Sequence, residues 1–287
     1  MGEASRFHAN FFGSRAILGL IDAREPGTLM DDDGTRLGEA MAAIGLDPPA
    51  VPSAHRDDIE AFIELHIEQG RTLYDRGMDI GIVTTITALA WQVVTVHGQA
   101  DHAGTTPMSA RRDAMLGAAQ MAGAIAEVAD EIGHPAVATT GKWSVQPGGS
   151  NIVPEQVTFT IDARHPDEAV LDGMLVAVAR RCTEIAAQRH LEVSIDTVKR
   201  ENASPTDQAL RAVLASAAER QGATSCHLPS GAGHDSQLFA RHLPTAMLFV
   251  PSVEGRSHVK EEYTPPEPCA VGANVLATAL HQLAYTH

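Results

Sequence analysis

Apolar and polar residues alternate strictly in Ile63-Glu64-Leu65-His66-Ile67-Glu68, the two-residue period of a strand with one face buried. That alternation puts Glu64, His66 and Glu68 on one face. A helical reading stays open here, because His66 is also in phase with Ile59, Phe62 and Ile63. Upstream, Pro48, Pro49 and Pro52 mark a break before a helix predicted near Asp57–Ile63. The stretch Trp91–His97 is again strand-like. Thr106 and Pro107 then read as the N-cap and first residue of a long amphipathic helix, with Met115, Ala118, Ala122, Ile125, Ala129 and Ile132 at helical spacing. Strands are predicted over 137–146 and 155–163, on either side of a Gly-Gly-Ser-Asn turn at 148–151. Pro166 and Asp167 open a second helix, whose apolar face is Leu171, Met174, Leu175, Val178, Cys182 and Ile185. Alternation returns in Leu191–Asp196. Residues 91–198 therefore read β-α-β-β-α-β, the split βαβ arrangement. Beyond Thr206 the pattern predicts a helix to about Gln221, a Gly-rich turn at 230–233, a short helix, an apolar strand at Ala246–Val250 and a final helix from about Cys269. A buried strand between helices points to a mostly parallel α/β layer. The predicted fold class is α/β: a discontinuous domain from residues 1–90 and 199–287, with an α+β domain, 91–198, inserted.

Composition narrows the partners. The chain has 287 residues, enough for one large or two modest domains. Hydrophobic residues make up 44% but aromatics only 4%, so the core must be built from Ala, Val, Ile, Leu and Met. A net charge of −15 with no Lys/Arg-rich run argues against nucleic acid or an anionic membrane surface. No apolar stretch approaches a membrane span. Glu3, Arg6, His8, Asn10 and Arg15 are incompatible with a signal peptide's apolar core in the first twenty or so residues. Cys182, Cys226 and Cys269 lie far apart and form no CxxC pair, which predicts reduced thiols and a cytoplasmic location.

Four polar clusters could carry chemistry. They are His66 with Glu68 and Gln69; the loop Gly98–Pro107 around His102; Ser150-Asn151 with Asp162-Ala163-Arg164; and Ser230–Asp235 with Gly255-Arg256-Ser257-His258 after the next strand. The C-terminal ends of strands are where open α/β sheets place their sites. Each cluster also has a structural reading. A single strand histidine is more often hydrogen-bonded than a ligand, Arg164 can pair with Asp162 or Asp167, and the glycines can serve tight turns. No HExxH, CxxC, P-loop or GxSxG pattern is present.

Taken in order, HIEQG at 66–70, GQADHAGTTPM at 98–108, GGSNIVP at 148–154, DARHPD at 162–167, SGAGHD at 230–235 and the Ser-His at 257–258 resemble the amidase, hydantoinase/carbamoylase family. That family includes N-carbamoyl-L-amino-acid hydrolases, allantoate amidohydrolases and ureidopropionases, within the dinuclear zinc peptidase-like hydrolases that carry an inserted dimerisation or lid domain. Gly2–Phe7 resembles the family's Glu-Glu-Gly-Ser-Arg-Phe segment. The resemblance implies two divalent ions, zinc or manganese with cobalt or nickel as alternatives. It implies that His66 ligates one ion, and that His258 with Glu3 ligates the other. Gln69, Asn151 and Arg164 would hold the substrate's carboxylate and amide, an arginine fork suiting a carboxylate. Gly231 would help shape the substrate pocket, and His234 and Asp235 would orient the site from behind. His102 would reach from a partner subunit, in a homodimer formed through 91–198, to stabilise the tetrahedral oxyanion. The reaction implied is hydrolysis of a ureido or amide C–N bond in a small carboxylate-bearing substrate.

The sequence departs from the family at its start. The upstream His-x-Asp motif, the bridging aspartate and the strands that carry them have no counterpart, and the general-base glutamate falls at Gly2. The expectation from this pattern is weak metal binding and impaired activity for the chain alone. Three readings stay open: an N-terminally shortened amidohydrolase, a non-catalytic relative acting as a dimerising or carboxylate-binding subunit, and one half of a split enzyme.

Overall fold

The computed structural model describes residues 6–285 apart from His8, so Gly2 and Glu3 lie outside the described residues. The chain forms two compact units. One runs up to Thr84 and resumes at Ser204; the other is Thr85–Ala203.

The first unit opens with three short helices, α1 (Phe12–Ile17), α2 (Glu25–Thr28) and α3 (Leu37–Ala43), and a 3-10 segment, Pro48–Ala54. No helix forms over Asp57–Ile63; strand β1 (Phe62–Ile67) begins there instead. Its first amide donates to Pro244 O, and each residue from Phe62 to Ile67 pairs in parallel with a partner from Thr245 to Val250. Long-range pairing thus overrides the local helical phase of Ile59, Phe62 and Ile63. Helix α4 (Thr72–Arg76) and strand β2 (Ile80–Ile86) follow.

The second unit contains β3 (Ala88–His97), β4 (Asp101–His102), α5 (Ala114–Ile132), β5 (Val137–Gln146), β6 (Ile152–Val153), β7 (Gln156–His165), α6 (Glu168–Gln188) and β8 (Glu192–Glu201). Its four-stranded sheet has the order β5-β7-β3-β8, and each neighbouring pair is antiparallel. Helices α5 and α6 cover one face, burying Met121, Ile125, Leu171, Met174 and Cys182 against Val94, Val96, Phe159 and Ile161. Helix α5 starts later than the Thr106-Pro107 signal suggests. Those residues precede a 3-10 turn, Met108–Ala110, and the working cap is Asp113, which accepts from Leu116 N. The buried stripe is correspondingly rotated onto Met121, Ile125 and Val128, leaving Met115 and Ile132 exposed. Helix α6 begins where Asp167 predicts, its carboxylate accepting from Ala169 N and Val170 N.

The chain then returns to the first unit with β9 (Ser204–Pro205), α7 (Gln208–Arg220), β10 (Ser225–Ser230), α8 (Asp235–Phe239), β11 (Thr245–Val250) and α9 (Pro266–Tyr285). The sheet order is β1-β11-β2-β10, with β9 paired to β2. β1 and β11 are parallel, but β11 and β2 are antiparallel, so the sheet is mixed rather than mostly parallel. Strand β2 is an apolar run buried through Val83 without alternation, which is why its pairing sense left no trace in the hydrophobic pattern. On one face, Leu210, Leu214, Ala217, Val275 and Ala279 of α7 and α9 pack on Ile80, Ile82, Ala246, Leu248 and Val250. Helix α9 lies close against the sheet: a Cβ on Gly272 would sit 2.5 Å from Val250 and 2.9 Å from Leu65. On the opposite face Phe62 stacks on Phe239 of α8 with ring centroids 4.0 Å apart. The alternation of β1 therefore sends Ile63, Leu65 and Ile67 to the helix-covered core and turns Glu64 and His66 towards α8. Among the described residues, no helix is long and apolar enough to cross a membrane.

Candidate active site

Glu64 and His66 sit towards the C-terminal end of the parallel β1–β11 pair, where open sheets place ligands. Glu64 Oε2 accepts from the Ser236 amide at 2.9 Å and the Ser236 hydroxyl at 2.7 Å. The His66 ring lies with Nδ1 2.9 Å from Ile67 O. A carbonyl can only accept, so Nδ1 carries a proton, and in the neutral ring Nε2 holds the lone pair. His234, just ahead of α8, is 2% exposed. Its ring meets His66 edge-on with centroids 4.6 Å apart and lies 5.5 Å from Phe249. Burial, and then the neighbouring His66, push the His234 pKa down to about 3, so this imidazole is neutral at physiological pH. One ligand atom from each of Glu64, His66 and His234 lies within 4.8 Å of the others.

A second cluster forms from the loop after β1 and the loop after β11. Gln69 Nε2 donates to Ser257 Oγ at 3.0 Å and lies 3.5 Å from His258 Nε2. Ser257 Oγ and the His258 amide both donate to Glu262 Oε2, at 2.6 and 3.0 Å. These two bonds hold the Glu262 carboxyl below its usual range. Gln69 and His258 both have left-handed backbones, with φ of 57° and 59°. The loops touch at Gly255, where φ is +61° and a Cβ would lie 2.1 Å from Gly70 O. No side chain fits there.

In the second unit, β4 pairs with β6, so the His102 loop lies beside the turn that carries Asn151, and Ala103 N donates to Asn151 O at 2.9 Å. His102 Nδ1 accepts from Gly104 N and Thr105 N, each at 3.1 Å. In the neutral ring this leaves the proton on Nε2, a donor pointing away from its own loop's amides. On β7, Arg164 Nε and Nη2 clasp Asp162 Oδ1 and Oδ2, both at 2.7 Å, and Trp91 Nε1 donates to the same carboxylate at 2.9 Å.

The profile described as Peptidase family M20/M25/M40 matches residues 6–282. The chain belongs to this peptidase family. It is 39% identical to the allantoate amidohydrolase of Escherichia coli over 283 residues, covering 99% of this chain and 69% of that one. It is 40% identical to the N-carbamoyl-L-amino acid amidohydrolase of Geobacillus stearothermophilus over 284 residues, covering 98% of this chain and 69% of the relative. Among solved structures, a hydantoinase/carbamoylase family amidase from Burkholderia ambifaria superposes with a TM-score of 0.88 at 37% identity, over 98% of this chain and 67% of that one. The family is hydrolytic and metal-dependent, and its mixed α/β fold is the one described above.

Within this peptidase-family fold the sequence-predicted residues fall into separate groups. His66 stands with Glu64 and His234, while His258 stands with Gln69 and is not part of that close trio. Glu3 lies outside the described residues. Glu68 does not share the face of Glu64 and His66 functionally: its carboxylate accepts from Thr72 N and Leu73 N, both at 2.8 Å, and so caps α4. Asp235 accepts from Ser14 Oγ at 2.5 Å, tying α8 to α1. Gly231 is exposed and a Cβ there would meet nothing within 4 Å, so packing does not demand a glycine. Ser236 and Glu262 escaped the sequence reading. Ser236 sits 172 positions from the carboxylate it holds. Glu262 is four residues beyond His258, a local signal that the Ser-His string alone does not flag.

Proposed function

We propose that this chain is a metal-dependent amidohydrolase acting on the C–N bond of linear ureido or amide substrates that carry a carboxylate, of the N-carbamoyl amino acid or allantoate type. The observation that carries the reading is His66. Its Nδ1 donates to Ile67 O, and its ring gathers with a carboxylate and the neutral His234 imidazole, one ligand atom of each within 4.8 Å, a donor set that suits a divalent ion. His66 would hold one ion, and His258 with Glu3 the other. Bound divalent ions supply Lewis-acid polarisation of the carbonyl and a water of lowered pKa. The remaining work falls to side chains. Arg164 and Asn151 anchor the substrate carboxylate, and Gln69, steadied by Ser257, orients its amide. His102 donates from Nε2 to the developing oxyanion, its other nitrogen being fixed by two amides. In this reading His102 serves the site of a second copy, in a homodimer formed through residues 91–198.

The test is hydrolysis of N-carbamoyl-L-amino acids and allantoate by the purified chain loaded with zinc or manganese, followed as release of the leaving amine or ammonia. The expected result is weak metal-dependent turnover that is lost in His66→Ala. Absence of turnover on every ureido and amide substrate, with metal bound, overturns the reading. Light scattering that finds only monomer overturns the role of His102 across subunits.

A further inference from the structure

We propose that Asp162 and Trp91 are positioning residues that clamp the Arg164 guanidinium from one side, so that its other forked edge is presented to a ligand carboxylate. The proposal rests on the reading of Arg164 as the carboxylate anchor given above, and adds the two residues by which that anchor is aimed.

A guanidinium offers two forked edges to carboxylates, one formed by Nε with Nη2 and one by Nη1 with Nη2. Asp162 takes the first: Nε donates to Oδ1 and Nη2 to Oδ2, both at 2.7 Å. Residues two apart on a strand share a face, so the clamp forms within β7 itself. Two parallel hydrogen bonds fix the plane of the guanidinium and turn its second edge away from Asp162. The Arg164 and Asp162 side chains are 26% and 31% exposed, so a small ligand can reach the pair.

Asp162 is itself held. Trp91 stands opposite it on β3, and Trp91 Nε1 donates at 2.9 Å to Oδ2, the same oxygen that accepts from Arg164 Nη2. An indole N–H only donates, so it can steady the carboxylate without competing for it as a base. One strand further, Lys199 pairs opposite Trp91 on β8, with its ammonium 4.7 Å from the indole centroid and 3.7 Å from Glu201. The line Lys199, Trp91, Asp162 thus runs across three neighbouring strands and ends on the arginine.

Two roles for Asp162 differ in sign. A carboxylate that competes with a ligand for Arg164 weakens anion binding, and neutralising it strengthens that binding. A carboxylate that aims the fork strengthens anion binding, and neutralising it weakens that binding. The side-on clamp belongs to the second role, because Asp162 stands on the edge a ligand meeting Nη1 and Nη2 does not use.

Titration of the purified full chain with N-carbamoylglycine, and with its uncharged carboxamide, tests this by calorimetry and tryptophan fluorescence. The chain has two tryptophans, so Trp143→Phe leaves Trp91 as a reporter on the clamp. The expected result is a change in Trp91 emission with the carboxylate and none with the carboxamide. Carboxylate affinity should fall at least about tenfold in Asp162→Asn and about threefold in Trp91→Phe, although the first removes a negative charge. Circular dichroism and a thermal melt check that the variants fold. Should Asp162→Asn unfold, Trp91→Phe carries the test. Arg164→Lys separates the two levels of the reading. Loss of carboxylate affinity in Arg164→Lys, with unchanged or tighter binding in Asp162→Asn and Trp91→Phe, overturns the positioning role alone. Wild-type affinity in Arg164→Lys, or a wild-type chain that does not distinguish carboxylate from carboxamide, overturns the anchor and the positioning role together.

Discussion

Strands β1 and β7 each carry a polar pair two residues apart on one face, Glu64/His66 and Asp162/Arg164, and the two pairs meet opposite fates. On β7 the partners have opposite charge and close on each other in a two-pronged ion pair. Burial pushes the Asp162 carboxyl up, but the Arg164 hydrogen bonds and charge outweigh it and hold it below its usual range. On β1 a carboxylate stands beside an imidazole whose Nδ1 proton is already given to Ile67 O. Glu64 turns to Ser236 and His66 to its own strand's carbonyl. The same spacing therefore gives a self-satisfied pair in one unit and an acceptor-rich pair in the other. The identity of the second residue decides which.

The comparison can be broken most forcefully with acid. In the metal-free chain His234 has a folded pKa of about 3 against 6.5 when unfolded. Its contribution to stability is present above 6.5 and is lost as pH falls from there towards 3, because the unfolded chain takes up the proton first. The expected slope is up to about 1.4 kcal/mol per pH unit, measured by denaturant titration at several pH values. His234→Gln should flatten it. Asp162 loses its share in the same direction but in a lower pH window. Its folded pKa is lowered, so its share is intact above the usual aspartate range and disappears only as pH falls below it. If both units lose stability over the same pH window, the contrast between the strands fails.

Metal should separate the strands next. Zinc at one hundred times its dissociation constant should stabilise the wild-type chain by about 2.7 kcal/mol, read as a rise in melting temperature. A tenfold loss of affinity in Glu64→Gln should remove about half of that rise, and Asp162→Ala should keep it. Asp162→Ala should instead destabilise the metal-free chain by about 1–2 kcal/mol. It removes the ion pair with Arg164 and the hydrogen bond from Trp91 Nε1, and the half-exposed setting tempers the loss. The smallest effect is expected for Glu262→Gln. Its carboxylate is exposed, so chemical denaturation should shift by no more than about 0.5 kcal/mol. The geometry of the Ser257–His258 loop, followed by NMR, should change more than the stability does.

Much of this was legible in the residues themselves. The β1 alternation already separates Ile63, Leu65 and Ile67 from Glu64 and His66, and the β-α-β-β-α-β order of the second unit follows from periodicity and from the Asp167 cap. What escaped had a common cause: the deciding partner lay far away in sequence. Pairing with β11 turned Asp57–Ile63 away from helix. The Asp113 carboxylate outcompeted Thr106-Pro107 because the intervening residues take a 3-10 turn. The antiparallel turn of β2 against β11 is set by topology, which a buried apolar run does not encode. Likewise the sequence gives His234 only a place behind the site until the fold brings its ring against His66, and Glu68 reads as a site residue until α4 claims its carboxylate.

The contact between Gly255 and the backbone of Gly70 has an evolutionary consequence. With no room for even a methyl group between them, the loop bearing Gln69 and the loop bearing Ser257 and His258 cannot drift independently. A lineage that lengthens or re-routes one must accept a matching change in the other. Anyone transplanting substrate preference between relatives should therefore exchange residues 68–71 and 252–262 as one inherited module.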